Sequence, residues 1–107
     1  MYDFKKIVIE AANKKILYTS HALHQMNKAE RMISKDEVRD VIKQGEIIED
    51  YPEDPRGHSC LMAGETAIKR IIHVACSPKP DYLAIITAYI PDENEWEGGL
   101  KRKERGD

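Results

Sequence analysis

The amino-acid sequence predicts an α+β domain, in which N-terminal helices pack on a four-stranded antiparallel sheet. Apolar residues repeat with a helical period up to Gly45, and from Glu46 onward they repeat with a period of two. The length of 107 residues is that of one small domain with a core of its own. We expect this domain to cover residues 1–97, and residues 98–107 to form a mobile charged tail.

The first helix is expected over residues 3–13, because its apolar positions recur every three or four residues and Asp3 can act as its N-cap. A short extended piece over residues 16–19 follows it. Ser20 can then cap a second helix, which the same apolar period predicts to run over residues 20–32.

The third helix, over residues 34–44, has the strongest local signature in the chain. Ser34 and Glu37 form a capping box, in which each side chain can accept a hydrogen bond from the other residue's backbone N–H. Gly45 follows the last apolar position, and we expect it to end the helix in a left-handed conformation.

Four strands are expected after the helices, since the apolar period changes and β-branched residues become frequent. Short connections favour an antiparallel meander. Pro78 and Pro80 are expected to keep the last turn outside the sheet, because proline has no backbone N–H to donate. The predicted strands cover residues 46–51, 59–65, 70–76 and 82–90.

The charge balance limits the classes of function. With 17 basic and 19 acidic residues, the net charge of −2 excludes a protein that works by bulk cationic attraction to nucleic acid or membrane. No apolar run approaches the ~20 residues of a membrane span, and the first ten residues lack a signal-peptide core. We therefore expect a cytoplasmic protein without membrane contacts, whose two cysteines are small buried residues.

One group of candidate functional residues lies on the predicted second helix. His21 falls in its first turn, and an uncharged imidazole, the form that a helix N-terminus favours, can act as a general base. Lys28, Arg31 and either His24 or Gln25 fall on the same side of that helix, where a phosphate-bearing substrate could lie. The alternative is a solvated helix face with no ligand.

A second group centres on His73, which lies within a run of β-branched residues. If the turn between the last two strands is symmetric about Lys79, His73 pairs with Ile85. One sheet face would then carry a cation, a base, a hydroxyl and a phenol: Lys69, His73, Thr87 and Tyr89. The alternative is a core histidine held by a single hydrogen bond.

The sequence also contains the ligand types of a metal site. Two histidines and two cysteines form a possible tetrahedral zinc set, namely His58, Cys60, His73 and Cys76. Their spacing argues against it, because residues three apart in a strand point to opposite faces. No phosphate-binding glycine loop or nucleophile elbow is present in the sequence either, so we expect no metal and no other cofactor.

An ordered set of short segments resembles a domain-of-unknown-function family, DUF4258, over about residues 18–96. The segments are Thr19-Ser20-His21-Ala22, Arg31-Met32-Ile33-Ser34, Gly45 to Pro52, His73-Val74, Ile86 to Pro91, and Trp96. That family resembles the RelE/ParE-like toxin fold, within a group of metal-independent ribonucleases that includes barnase-like domains. The polar positions of the family fall here on His21, Arg31, His73, Thr87 and Tyr89.

The resemblance implies a toxin-type, metal-independent endoribonuclease with an antitoxin-like protein partner. His21 and His73 would share the roles of base and acid, and His21, Arg31, His73 and Tyr89 would line one water-accessible surface. Lys28, Lys69 and Thr87 would contact the RNA, and the first helix is available for homodimer contacts. The alternative is a non-catalytic protein-interaction module of the same fold, which would bind through its sheet face or first helix.

Overall fold

Three helices cover one face of a five-stranded sheet, so the predicted α+β class is confirmed. The computed structural model describes residues 3–102, and no helix in that range is long and apolar enough to cross a membrane. In chain order the elements are α1 (Phe4–Lys14), β1 (Ile16–Tyr18), α2 (Ser20–Met26), α3 (Lys35–Gln44), β2 (Glu46–Tyr51), β3 (Ser59–Glu65), β4 (Ile71–Pro78), β5 (Leu83–Tyr89), β6 (Trp96–Glu97) and β7 (Lys101–Arg102).

The sheet has five strands in the order β1-β5-β4-β3-β2, which corrects the predicted four-stranded antiparallel sheet. Strands β2 to β5 are antiparallel as expected, whereas β1 pairs parallel with β5. Backbone bonds from Leu83 N to Lys15 O (2.8 Å) and from Thr19 N to Ile85 O (3.1 Å) fix this pairing. A segment of three residues is too short to show a strand period, so its pairing with a distant strand is not visible in the sequence.

Helix α2 is shorter than predicted, and its N-cap is Thr19 rather than Ser20. The Thr19 hydroxyl accepts a hydrogen bond from the backbone N–H of Ala22 at 3.0 Å. The helix ends at Met26, because the chain then turns and the Ile33 N–H donates to the Met26 carbonyl at 2.9 Å. This turn brings Ile33 into the core.

Helix α3 begins with the predicted capping box. The Glu37 N–H donates to the Ser34 hydroxyl, and the Ser34 N–H donates to the Glu37 carboxylate, each at 3.1 Å. Gly45 ends the helix, but the predicted left-handed conformation is wrong, since its φ is −80° and its ψ is −178°. Glycine is required there for space: a Cβ would lie 2.5 Å from the carbonyl oxygens of Val41 and Ala63.

The Glu37 carboxylate also joins α3 to the turn between β3 and β4. It accepts hydrogen bonds from the Thr66 hydroxyl (3.1 Å) and from Nε and Nη2 of Arg70 (2.7 Å each). Arg70 in turn donates to the backbone carbonyls of Arg31 (2.8 Å) and Met32 (3.0 Å). One buried carboxylate and one guanidinium therefore hold three separate segments together.

Strands β4 and β5 pair in a different register from the predicted one. Strand β4 continues to Pro78, because a proline at the end of a strand interrupts no further pairing. The turn is displaced accordingly, and together with an extra residue in β5, Ile86, it brings Tyr89 rather than Ile85 opposite His73. This displacement is an even number of residues, so His73, Thr87 and Tyr89 still share one face, as predicted.

Strands β6 and β7 form a separate hairpin, with Gly98 (φ 57°) and Gly99 (φ 76°) in its turn. Residues 98–102 of the predicted tail thus belong to a hairpin. Residues 103–107 lie outside the described residues, so the mobility expected for residues 98–107 stays a prediction.

Candidate functional site

The two faces of the sheet differ in what covers them. On the helix-covered face, side chains such as Met62, Val74 and Ile85 pack with α1, α2 and α3 in the apolar core. Because strand residues alternate, their neighbours point the other way. We call this second surface the helix-free face; it carries Glu49, Tyr51, Ser59, Leu61, Ala63, His73, Ala75, Thr87 and Tyr89.

His73 lies at one end of the helix-free face under the β6–β7 hairpin, and its side chain is completely buried, with 0% relative exposure. Its Nδ1 is 3.3 Å from the Tyr89 hydroxyl, and its Nε2 is hydrogen-bonded to the Gly99 carbonyl. The Trp96 ring packs edge-on against the imidazole with centroids 4.4 Å apart. Since a carbonyl only accepts, Nε2 carries the proton and Nδ1 can accept from Tyr89.

The burial of His73 corrects one expectation. The sequence predicted a water-accessible surface that includes His73 and Tyr89, but His73 does not reach solvent in this structure. A base or acid must approach the atom whose proton it transfers to within hydrogen-bond distance. The shared face of His73 and Tyr89 is therefore predicted correctly, whereas the exposure of His73 is not.

The other predicted site residues lie elsewhere. His21 is exposed in the first turn of α2, whose opposite side packs into the helix-covered core. Lys28 and Arg31 fall in the loop after α2, so the predicted polar stripe on a single helix is wrong. The Arg31 guanidinium donates to the Gln25 side chain at 2.8 Å. Lys69 is an exposed turn residue with a φ of 66°, so it does not share the strand face of His73.

At the other end of the helix-free face, a cavity of about 510 Å³ is lined by the end of β2, the loop after it, and residues of β3, β4 and β5. Its apolar surface comes from Tyr51, Pro52, Ala75 and Ile86. Tyr51 is 43% exposed at the rim. An exposed aromatic ring beside a proline and two aliphatic side chains forms the kind of concave apolar surface that binds ligands or protein segments.

The polar rim of this cavity is mainly acidic. Asp54 accepts from the Arg56 guanidinium (3.1 and 3.2 Å) and from the Ser59 hydroxyl (2.7 Å). These hydrogen bonds, with that from Arg56 first, hold the pKa of Asp54 well below its usual range. Asp50 lies 2.5 Å from Nε2 of His58, and Glu53 is exposed on the same loop. Arg56 is thus neutralised locally, and the other charged groups lining the cavity are carboxylates.

Neither Arg70 nor the cavity around Tyr51 is predicted by the sequence pattern. The capping box does identify Glu37, which is the partner of Arg70. No local pattern connects Glu37 with Arg70, however, because the two residues are far apart in the chain. Hydrogen bonding to Arg70 is the largest cause that lowers the pKa of Glu37. Arg70 also lines a second cleft, of about 710 Å³, between the start of β4, the residues after β5, and the β6–β7 hairpin.

Cys60 and Cys76 are buried free thiols that lie directly opposite each other on β3 and β4, with their sulfurs 3.8 Å apart. The hydrogen bond with Cys60, followed by burial, raises the pKa of the Cys76 thiol. Both point into the helix-covered core, whereas His73 points to the other face. Among residues 3–102, no group of three or more His, Cys, Asp or Glu side chains is arranged to hold a metal ion.

Comparison with known proteins gives one match. The model of a family described as a domain of unknown function, DUF4258, matches residues 18–90, which is more than half of the chain. No curated protein matches, and no solved structure matches. The matched range begins at the end of β1 and ends just after β5, so it includes both ends of the helix-free face.

Proposed function

The chain belongs to the DUF4258 family, and we propose that it is a non-catalytic protein-interaction module that binds its partner on the helix-free face. The observation that carries this proposal is the cavity of about 510 Å³ beside β2, with Tyr51, Pro52, Ala75 and Ile86 at its surface. Tyrosine and arginine are enriched where proteins bind each other, and both residue types line this cavity.

The environment of His73 supports the same proposal. Its two ring nitrogens are engaged by Tyr89 and Gly99, and Trp96 covers the ring. Such a histidine stabilises the fold, because its polar atoms are paired inside the protein. His73 and Tyr89 are thus engaged inside the protein, whereas the cavity beside Tyr51 is open to a partner.

The proposal can be tested by selecting peptides from a displayed library of random twelve-residue sequences on the immobilised protein. The Ala75→Arg variant fills the floor of the cavity, and Ala67→Arg makes the same change on the exposed β3–β4 turn. We expect selected peptides to bind the wild type and Ala67→Arg equally, and to bind Ala75→Arg at least about tenfold more weakly.

Thermal unfolding of each variant checks that it folds. If none of the selected peptides distinguishes folded Ala75→Arg from the wild type, the cavity is not a binding site and the proposal is wrong. Peptides that fail on Ala67→Arg instead would move the interaction to the β3–β4 turn.

RNA cleavage is the second candidate function. With that function, we would expect an antitoxin-like protein partner or a homodimer. The contact between His73 and Tyr89 favours it, because both residues were singled out through the resemblance to metal-independent ribonucleases. The purified protein should be incubated with total RNA in the presence of EDTA, beside the variants His21→Ala and His73→Ala. Cleavage that both variants abolish, while remaining folded, would establish the ribonuclease and overturn the non-catalytic proposal.

A further inference from the structure

We propose that the partner segment at the Tyr51 cavity is an extended stretch of another protein that carries a lysine or arginine between apolar residues. This inference rests on the proposed interaction function and specifies its ligand. Three features of the cavity lead to it: the charge of the rim, the apolar floor, and the position beside an edge strand.

The first feature is the charge of the rim. Strand β2 and the loop after it contain five carboxylates and a single guanidinium: Glu46, Glu49, Asp50, Glu53, Asp54 and Arg56. Arg56 is bound by Asp54, and His58 of the same loop lies against Asp50, so the carboxylates of this segment outnumber its cationic groups even when His58 is protonated. The site therefore attracts a cationic side chain and repels phosphate groups, which argues against a nucleic acid as its ligand.

The second feature is the apolar floor. Ala75 and Ile86 form the base of the cavity, and the Tyr51 ring stands at its rim. Lysine and arginine side chains combine an apolar stem with a charged tip, so the stem can lie on the floor while the tip reaches the rim carboxylates. A cation can also approach the face of an exposed tyrosine ring, which adds to the attraction.

The third feature is the position of the cavity beside β2, the outermost strand of the sheet. A register shift between Ile47 and Glu49 interrupts the regular ladder of this strand, and bulges of this kind hinder the addition of a further strand. We therefore expect the partner segment to bind through its side chains on the helix-free face, next to β2. An extended segment can present alternate side chains to such a surface.

The experiment uses the cavity-dependent peptides from the displayed twelve-residue library and compares their composition and their response to charge. We expect lysine or arginine flanked by apolar residues to be enriched. Fluorescence anisotropy with labelled copies should show binding that weakens about three- to tenfold with Glu53→Lys, and that weakens with added salt. Glu93→Lys is the matched control, since Glu93 is an exposed carboxylate outside this cavity.

The outcomes separate the two proposals. If peptides depend on the cavity but lack basic residues, or if Glu53→Lys weakens binding no more than Glu93→Lys does, the inference about the partner is overturned while the interaction site stands. If no peptide depends on the cavity, both proposals fail. Selected acidic peptides that bind Glu53→Lys more tightly would reverse the predicted charge of the partner.

Discussion

The two faces of the sheet are formed by the same strands but differ in what covers them. The helix-covered face buries an apolar core, and at its margin a single ion pair, Glu37 with Arg70, fastens loops to the helix layer. On the helix-free face, one end is closed by an aromatic cluster around His73, and the other end remains an open cavity beside Tyr51. The comparison indicates that the buried core lies on the first face, and that the cavity of the proposed interaction lies on the second.

The polar groups of the two faces illustrate the difference. Glu37 is almost fully buried, and Ser34, Thr66 and Arg70 all donate hydrogen bonds to it. The rim carboxylate Glu53, by contrast, is exposed to solvent. A buried and fully bonded carboxylate contributes to folding, whereas exposed carboxylates contribute little to stability and remain available to a ligand.

The largest effect on stability is expected when the ion pair between Glu37 and Arg70 is removed. Arg70→Met removes the guanidinium and leaves a buried carboxylate without its cation, which should lower the free energy of unfolding by about 3–5 kcal/mol. Urea denaturation measures the loss. Arg39→Met is the control, because Arg39 pairs with an exposed Asp36, and its loss should cost less than about 1 kcal/mol. Equal effects of both variants would contradict the special role of Arg70.

A smaller effect is expected on the opposite face. His73→Ala leaves the Gly99 carbonyl without its donor and removes a ring that packs against Trp96, so unfolding should become easier by about 1–3 kcal/mol. Thr87→Ala is a useful control, since Thr87 is only half-buried on the same face. A fully stable His73→Ala protein would show that the imidazole is not a structural element, and would reopen its catalytic role.

Local sequence patterns predicted much of the helix-covered face. The capping box of Ser34 and Glu37 depends on residues three apart, so it is readable from the chain and is confirmed. Strand β1 and the Arg70 contacts depend on tertiary pairing, which leaves no local period. The register of β4 with β5 was missed because a bulge and the inclusion of Pro78 move the turn, although the face of His73 was predicted correctly.

The candidate site was harder to predict than the fold. The residue types His73 and Tyr89 suggested chemistry, but their burial depends on the segment from Trp96 to Gly99 folding over them. The cavity beside Tyr51 depends on the path of a loop, which composition does not fix. The alternation of the strands therefore indicated which residues share a face, but not which of them a partner can reach.

Within the helix-covered face, the contribution of the Ser34 cap can be compared with that of the ion pair between Glu37 and Arg70. Ser34→Ala removes the hydroxyl that accepts from the Glu37 N–H but keeps the Glu37–Arg70 pair, so it should cost about 1 kcal/mol. Ser34→Asp should retain most of the stability, since aspartate is an equally good N-cap. Thermal or urea unfolding checks both. A loss for Ser34→Ala as large as that for Arg70→Met would mean that the cap and the ion pair cannot be separated.

The smallest effect is expected when the protein is acidified from neutral pH to below about pH 4.5, and it tests the sign of the Glu37 contribution to stability. Hydrogen bonding to Arg70 is the main cause that lowers the pKa of Glu37 below its ordinary value of 4.5. A carboxyl group whose pKa is lowered by folding stabilises the protein above the pKa of the unfolded state, and that contribution is lost as the pH falls through the lower folded value. The stability difference between the wild type and Glu37→Gln should therefore be constant near neutral pH and should shrink below about pH 4.5. Urea midpoints measured for both proteins at a series of pH values would reveal the trend, and a difference that grows on acidification would show that Glu37 is not held in its charged form by Arg70.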